Sequence, residues 1–306
     1  MQDETMSLRD GRTLGFSDYG QPTATPILLF HGTPGSRICG LEDWSLLDQY
    51  EIRVIAPERP GYGLSDPNPG RKIIDWAGDM AELADHLGLD KFHIAGESGG
   101  GPYVLACAVQ MPTRVLSATL IGSACPPEVV RLSKAMAFGN RMGFYLARYA
   151  PLLMKLASAM FANAVRKHPD NVMQRLISQL SEWDRNVLEQ SGERKRSLLI
   201  SHFKEAFRQG NYGHFSDSLL IARHWGFDLS EVKIPVFMWH GETDNLMPMT
   251  SAKEFSRLIP GCECHFVPGA GHFLLESEDV GSKIVERLLT VNAQQGAPAD
   301  ARKRRG

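Results

Sequence analysis

The chain is predicted to fold as an α/β protein, a mostly parallel sheet flanked by helices with an all-helical segment inserted between two strands. Three observations carry this. Short, continuous apolar runs recur at Pro26–Phe30 (PILLF), Ile52–Ala56 (IRVIA), Phe92–Ala95 (FHIA), Val115–Ile121 (VLSATLI), Val236–Trp239 (VFMW) and Cys264–Val267 (CHFV). Strands buried on both faces read this way, because helices cover each side of a parallel sheet and leave no wet face to alternate towards. Helical patterns separate these runs, and between residues 125 and 228 helical periodicity replaces strand-like runs altogether.

The elements follow in order. Met6–Arg9 and Arg12–Phe16 flank Asp10-Gly11, a strong short hairpin signal. Trp76, Met80, Leu83 and Leu87 recur at three or four residues, and Gly88 offers a stop. Gly101–Gln110 reads as a second helix, ended before Pro112; Ser251–Leu258 and Val280–Val291 supply two more. A hairpin followed by alternating strands and helices implies helices on both faces of the sheet. In the insertion the period is clearest in Tyr145, Tyr149, Leu152, Leu153, Leu156 and Met160. The expected organisation is a core of residues 1–124 and 229–292, a helical insertion at 125–228, and a disordered, basic tail at 293–306.

Length and composition narrow the class. A chain of 306 residues, 43% hydrophobic and 22% charged, can bury a substantial core and lies far from the disordered range. Its net charge of -2 gives no reason to expect nucleic acid as a partner. That charge is uneven: residues 125–228 hold 15 Lys and Arg against 9 Asp and Glu, while the remainder is acidic. Met1–Thr5 has neither a basic start nor an apolar run behind it, which is unlike a secretory signal, so a cytoplasmic location is expected. No stretch has the roughly 18 uninterrupted apolar residues of a membrane span, so no integral membrane contact is expected. Five cysteines without CxxC spacing argue against a disulfide scaffold and a zinc site; Cys262 and Cys264 read as a matched pair on one strand face.

Gly96-Glu97-Ser98-Gly99-Gly100 matches G-x-S-x-G, a weak signal alone. Its setting gives it meaning: it follows the strand Phe92–Ala95 and opens the helix at Gly101. A nucleophile elbow needs that strand–turn–helix arrangement, with glycines two before and two after the Ser to make room for the turn. A serine hydroxyl is a poor nucleophile until a base takes its proton. Of ten histidines, His86, His168, His202, His214 and His224 lie in or beside helical patterns, whereas His272 sits in Gly269–Phe273, a loop directly after the last strand. The base needs a carboxylate to fix its tautomer. Asp244, in the loop His240–Pro248 after the strand Val236–Trp239, is the first choice, with Glu242 as rival in the same loop. Two backbone donors for a developing oxyanion are expected: Gly99, just after the Ser, and Thr33 in His31–Ser36, since Pro34 has no N–H.

HGTPGS at His31–Ser36, RPGYGLSD at Arg59–Asp66, GESGGG at Gly96–Gly101, HGETDNLMP at His240–Pro248 and GAGHF at Gly269–Phe273 lie in one order along the chain. In this ordered set the sequence resembles the α/β-hydrolase superfamily, specifically its cap-bearing esterases, lactonases, C–C bond hydrolases and haloperoxidase-like enzymes. The resemblance covers residues 6–124 and 229–292. It implies an eight-stranded sheet and, in the order Ser, Asp, His that this fold uses, a triad of Ser98, Asp244 and His272. Dehalogenase and soluble epoxide-hydrolase relatives have an Asp where Ser98 stands, and the prolyl-aminopeptidase branch has a Trp beside its nucleophile where Glu97 and Gly99 stand here. The insertion matches a cap by position.

A cap over the catalytic loops implies a roofed pocket and a small-to-medium molecule as substrate. Met136, Met142, Phe144, Tyr145, Tyr149, Met154, Met160, Phe161 and Met173 suggest an adaptable apolar lining, with most of them expected to hold the cap to the core. The positive charge of the cap would suit an anionic substrate or a membrane surface, a solvated helical face being the simpler reading. No dinucleotide or Walker glycine pattern and no metal-ligand cluster is present, so neither cofactor nor metal is expected. The leading expectation is hydrolysis of a carboxylic ester or lactone through an acyl-enzyme on Ser98. C–C bond hydrolysis, cofactor-free oxygenation and a non-catalytic ligand receptor stay open as alternatives, and the oligomeric state is not legible.

Overall fold

A computed structural model describes residues 2–39, 45–130, 132, 134–190 and 192–296. The chain opens with the hairpin β1 (Gln2–Ser7) and β2 (Thr13–Tyr19), paired antiparallel with Ser7 opposite Thr13. The turn between them closes through Gly11, at φ +88°, whose N–H donates to the Leu8 carbonyl at 2.9 Å. Then come β3 (Thr25–Phe30), the short helix α1 (Leu46–Gln49), β4 (Ile52–Pro57), α2 (Trp76–His86), β5 (Phe92–Glu97), α3 (Gly101–Gln110) and β6 (Val115–Ile121). After a long excursion the sheet resumes with β7 (Val236–Gly241), α10 (Met249–Ser256), β8 (Glu263–Val267) and α11 (Glu278–Gly296).

The eight strands form one sheet in the order β1-β2-β4-β3-β5-β6-β7-β8. The first two pairings are antiparallel and every later one is parallel. The apolar runs explain the parallel part. Along β3, Leu28 and Phe30 pack on one side with Trp76, Met80 and Tyr103 of α2 and α3. Ile27 and Leu29 pack on the other with Leu46 of α1 and Ile284 and Leu288 of α11. Each fully buried Leu, Ile or Phe contributes about 1.5–3 kcal/mol, so covering both faces doubles what each strand gains. α11 runs to Gly296, beyond the Val291 at which its apolar period stops; the rest of the expected disordered tail lies outside the described residues. Cys262 and Cys264 both pack partly buried against one core cluster, and none of the five cysteines is joined in a disulfide.

The excursion between β6 and β7 is helical. It comprises α4 (Phe138–Tyr149), α5 (Pro151–Lys167), α6 (Pro169–Ser178), α7 (Glu182–Gln190), α8 (Gly192–Ala206) and α9 (Tyr212–Ile221). These helices roof the ends of β5, β6 and β7. Three carboxylates of the roof reach into the core. Glu205 of α8 meets Arg37 at 2.5 Å, and Asp184 of α7 and Asp217 of α9 meet loops described below. No described helix is long and apolar enough to cross a membrane.

Candidate active site

β5 ends at Glu97 in extended backbone, and the next residue, Ser98, has φ +46° before the chain coils into α3. A side chain in that left-handed region costs about 1–3 kcal/mol, and such strain persists only where the surroundings enforce it. Here they do. A Cβ on Gly96 would come within 2.6 Å of Val104 Cγ2, and one on Gly100 would run into the Phe30 carbonyl oxygen. The two glycines therefore let strand, turn and helix pack tightly enough to lift the Ser98 hydroxyl off the end of the sheet.

Asp244 and His272 arrive on the loops after β7 and β8. His272 Nδ1 lies 2.7 Å from Asp244 Oδ2, both side chains buried. The carboxylate can only accept, so Nδ1 carries the proton, and in the neutral ring Nε2 keeps its lone pair. Asp244 Oδ1 accepts from the backbone N–H groups of Leu246 (2.8 Å) and Met247 (2.9 Å), which sets the carboxylate plane. His240, also buried, donates from Nε2 to the Met247 carbonyl at 2.8 Å and braces the same loop. Glu242 is exposed, so the rival acid does not reach His272. Burial disfavours the His272 imidazolium. The charge and hydrogen bond of Asp244, with Asp184 and Glu97 further off, outweigh it and push its pKa up to about 9. Burial likewise works against the Asp244 carboxylate, but His272 outweighs it and holds the group below the ordinary carboxylate range.

The loop after β3 packs against the elbow: a Cβ on Gly32 would touch Ser98 Cβ at 3.5 Å, and one on Gly99 would meet Thr33 Cβ at 2.7 Å. This close approach puts Thr33 and Gly99 side by side next to Ser98. A buried ionic network holds the loop. Arg59 donates to the carbonyls of His31 (2.5 Å) and Gly32 (2.7 Å), to Thr33 Oγ1 (3.0 Å) and to Asp217 (2.8 Å). Asp217 also accepts from Tyr103 OH at 2.6 Å, from Thr33 Oγ1 at 3.2 Å and from Arg71. Burial would neutralise Asp217, but Arg59 and Arg71 outweigh that and hold its carboxyl well below the ordinary range.

A second acid of the roof serves the other loop. Asp184 Oδ1 accepts from the backbone N–H of His272 (2.7 Å) and of Phe273 (2.9 Å), while Ser181 Oγ donates to Oδ2 at 2.7 Å. The side chain is buried and seated against Gly271. Asp184→Ala would leave two buried N–H groups unpaired, at about 1–3 kcal/mol each, and loosen the backbone that aims the imidazole. It is expected to lower kcat about 10- to 100-fold with a smaller change in KM, because misplacing a reacting group by about 1 Å costs on that order. Asp184→Asn still accepts both bonds but removes a charge that favours imidazolium. Only neutral imidazole accepts a proton, so activity rises with pH through the His272 pKa, and this variant should move that limb to lower pH. Full pH–rate profiles of both variants on a p-nitrophenyl ester check this; an Asp184→Ala profile matching wild type would remove the positioning role.

Ser98, Gly99, Thr33 and His272 line one cavity of about 500 Å³ under the helical roof. All six roof helices contribute walls, among them Met154, Phe161, Met173 and Leu199. Of the nine Met and aromatic residues expected as lining or as cap-to-core contacts, Met142, Phe144, Met154, Phe161 and Met173 line it. Met136 is buried, but Tyr145, Tyr149 and Met160 are exposed and do neither, which corrects that expectation. The described lining contains no Lys, Arg, Asp or Glu, so the positive charge of the roof lies outside the cavity. His214 adds a polar point on the wall, bonded to Ser158 at 2.9 Å; burial pulls its pKa down to about 4, so it is neutral. Among the described residues no three His, Cys, Asp or Glu side chains are grouped as metal ligands.

The fold is that of the α/β hydrolases, and the comparisons agree. The sequence profile of the alpha/beta hydrolase fold matches residues 25–279, and the chain belongs to that family. It is 28% identical to a non-heme haloperoxidase of Rhodococcus erythropolis, over 86% of this chain and 90% of that protein. It is 26% identical to a non-heme chloroperoxidase of Streptomyces lividans, over 89% and 94%. A thermophilic esterase of Thermogutta terrifontis superposes with a TM-score of 0.65 at 26% identity, covering 95% of this chain and 99% of the other.

Proposed function

We propose that the protein is a serine hydrolase that cleaves a small-to-medium, largely apolar carboxylic ester or lactone through an acyl-enzyme on Ser98. One observation carries the reading: Ser98 and an Asp244-braced His272 share a mostly apolar cavity whose described lining holds no Lys, Arg, Asp or Glu. In the proposed reaction His272 Nε2 takes the Ser98 proton as Oγ attacks the carbonyl carbon. The carbonyl oxygen becomes an oxyanion facing the backbone N–H groups of Thr33 and Gly99. The tetrahedral intermediate collapses by breaking the ester C–O bond, and His272 returns the proton to the leaving alcohol. A water, deprotonated by His272, then attacks the acyl-enzyme and releases the acid with Ser98 restored. An apolar lining favours neutral acyl chains and offers an anionic substrate no countercharge.

Labelling with a fluorophosphonate tests this. One label per chain is expected on the wild type and none on Ser98→Ala, together with turnover of p-nitrophenyl esters that varies with chain length. Labelling unchanged by Ser98→Ala would overturn the assignment, and tight ligand binding with no turnover would point to a receptor instead.

A further inference from the structure

Nine large apolar side chains stand exposed among the described residues, and eight of them lie on α4 and α5. On α4 they are Phe138, Met142, Tyr145 and Tyr149, spaced four, three and four apart on one side of the helix. On α5 they are Leu152, Leu153, Leu156 and Met160, with Leu152 at 82% exposure. The two helices are joined by Ala150 alone and pack on each other and on α9. Their inner sides, Phe144 and Ala147 of α4 and Met154 of α5, meet Ala222 and Leu219 in a small core of their own. The apolar stripes are therefore the outer sides, the reverse of the usual arrangement, in which a surface helix keeps its polar side outward.

The charge around this face indicates what covers it. From residue 129 to residue 169 the sequence has seven Lys and Arg and no Asp or Glu. Arg148 and Lys155 are exposed within the stripes, and the guanidinium of Arg148 lies 5.5 Å from the centroid of the Tyr149 ring. A second copy placed on the same face would oppose cation to cation, since a two-fold interface pairs each patch with itself. An anionic lipid surface instead accepts the cations at its headgroups and the Leu, Met and Tyr side chains at the acyl boundary, as in-plane amphipathic helices do.

We propose that the outer face of α4 and α5 docks in plane on a membrane surface bearing anionic headgroups. Phe138 and Met142 belong both to this face and to the cavity wall, so an apolar path leads from the docked face towards Ser98. A membrane-dissolved ester would enter by that path; this last step rests on the esterase reading, whereas the docking does not.

The test is co-sedimentation of the full chain with vesicles of equal parts phosphatidylcholine and phosphatidylglycerol, against pure phosphatidylcholine. The expected result is pelleting with the anionic vesicles that weakens roughly fivefold for each of Arg148→Gln and Lys155→Gln. Leu152→Glu/Leu156→Glu should weaken it at least about 100-fold, given what two buried Leu side chains contribute. None of these side chains lines the cavity, so turnover of a soluble short-chain ester should match wild type, as should the melting temperature of the Lys155 and Leu variants; Arg148→Gln also gives up the bond from Arg148 Nη1 to the Pro127 carbonyl. Absence of pelleting, or pelleting that ignores the double Leu variant, would overturn the proposal. So would a wild-type dimer in sedimentation velocity that the double variant dissolves. Docking without any ester turnover would leave this inference standing and remove the esterase reading instead.

Discussion

His272→Ala is expected to lower kcat on a p-nitrophenyl ester by about 10⁴- to 10⁶-fold while leaving KM nearly unchanged, the pattern of a residue whose contribution is confined to the transition state. The physical reason is local. In the proposed mechanism the imidazole is the proton acceptor for Ser98, and water cannot replace it in a cavity walled by Met154, Phe161 and Met173. Without the ring, Asp244 Oδ2 would lose its donor while Oδ1 kept the backbone N–H groups of Leu246 and Met247, so the Asp244 carboxyl should titrate higher than in the wild type. Steady-state kinetics over a wide substrate range checks this, and a fall in kcat of less than about tenfold would mean that another group removes the proton.

Asp217→Ala should produce the largest loss of stability, about 3–5 kcal/mol, because it strands the buried guanidinium groups of Arg59 and Arg71 without their countercharge. That approaches the whole stability of many domains. The pH dependence follows from the direction of the shift. A carboxyl held below its unfolded value contributes fully above that value, about 3.9, and loses the contribution as pH falls through its folded value. The gap in urea midpoint between wild type and variant should therefore be constant from neutral pH down to about 4 and narrow below it. Because Arg59 holds the carbonyls of His31 and Gly32, activity should fall along with stability. A variant within about 1 kcal/mol of wild type at pH 7 would show that the network holds nothing in place.

The fold was legible because its signals are local. PILLF, VLSATLI and VFMW announce strands without a wet face, and all three lie within the parallel sheet. The α3 helix has the boundaries its composition suggests, Gly101 opening it and Pro112 following its end. The short helix Leu46–Gln49 was not legible, since four residues carry no period. Of the candidate site, the turn around Ser98 and the loop holding His272 could be found because glycine requirements and loop position leave marks in sequence. Asp244 is the first choice over Glu242 within one loop, and the structure buries Asp244 against His272 while leaving Glu242 exposed. Asp184 and Asp217 were missed entirely. Asp184 is one of three acids in α7 and Asp217 the one acid of α9, and their meaning lies in a backbone N–H 88 positions away and a Thr33 hydroxyl 184 positions away. A signal was present only in retrospect, in the inward register of these acids beside apolar residues. Tyr145, Tyr149, Leu152 and Met160 show the converse failure: helical spacing reveals that a stripe exists but not whether it faces the protein or its surroundings.

The roof carboxylates make this segment unlike an exchangeable cassette. Two of the three loops around Ser98 each depend on one acid borrowed from the roof, so a foreign roof of equal length and similar apolar content would arrive without either. Divergence in substrate preference is therefore constrained along α7 and α9, where those acids sit, and along α4, whose Asn140 donates to the Leu246 carbonyl of the Asp244 loop, and freer along α5, which shapes the cavity without holding those loops.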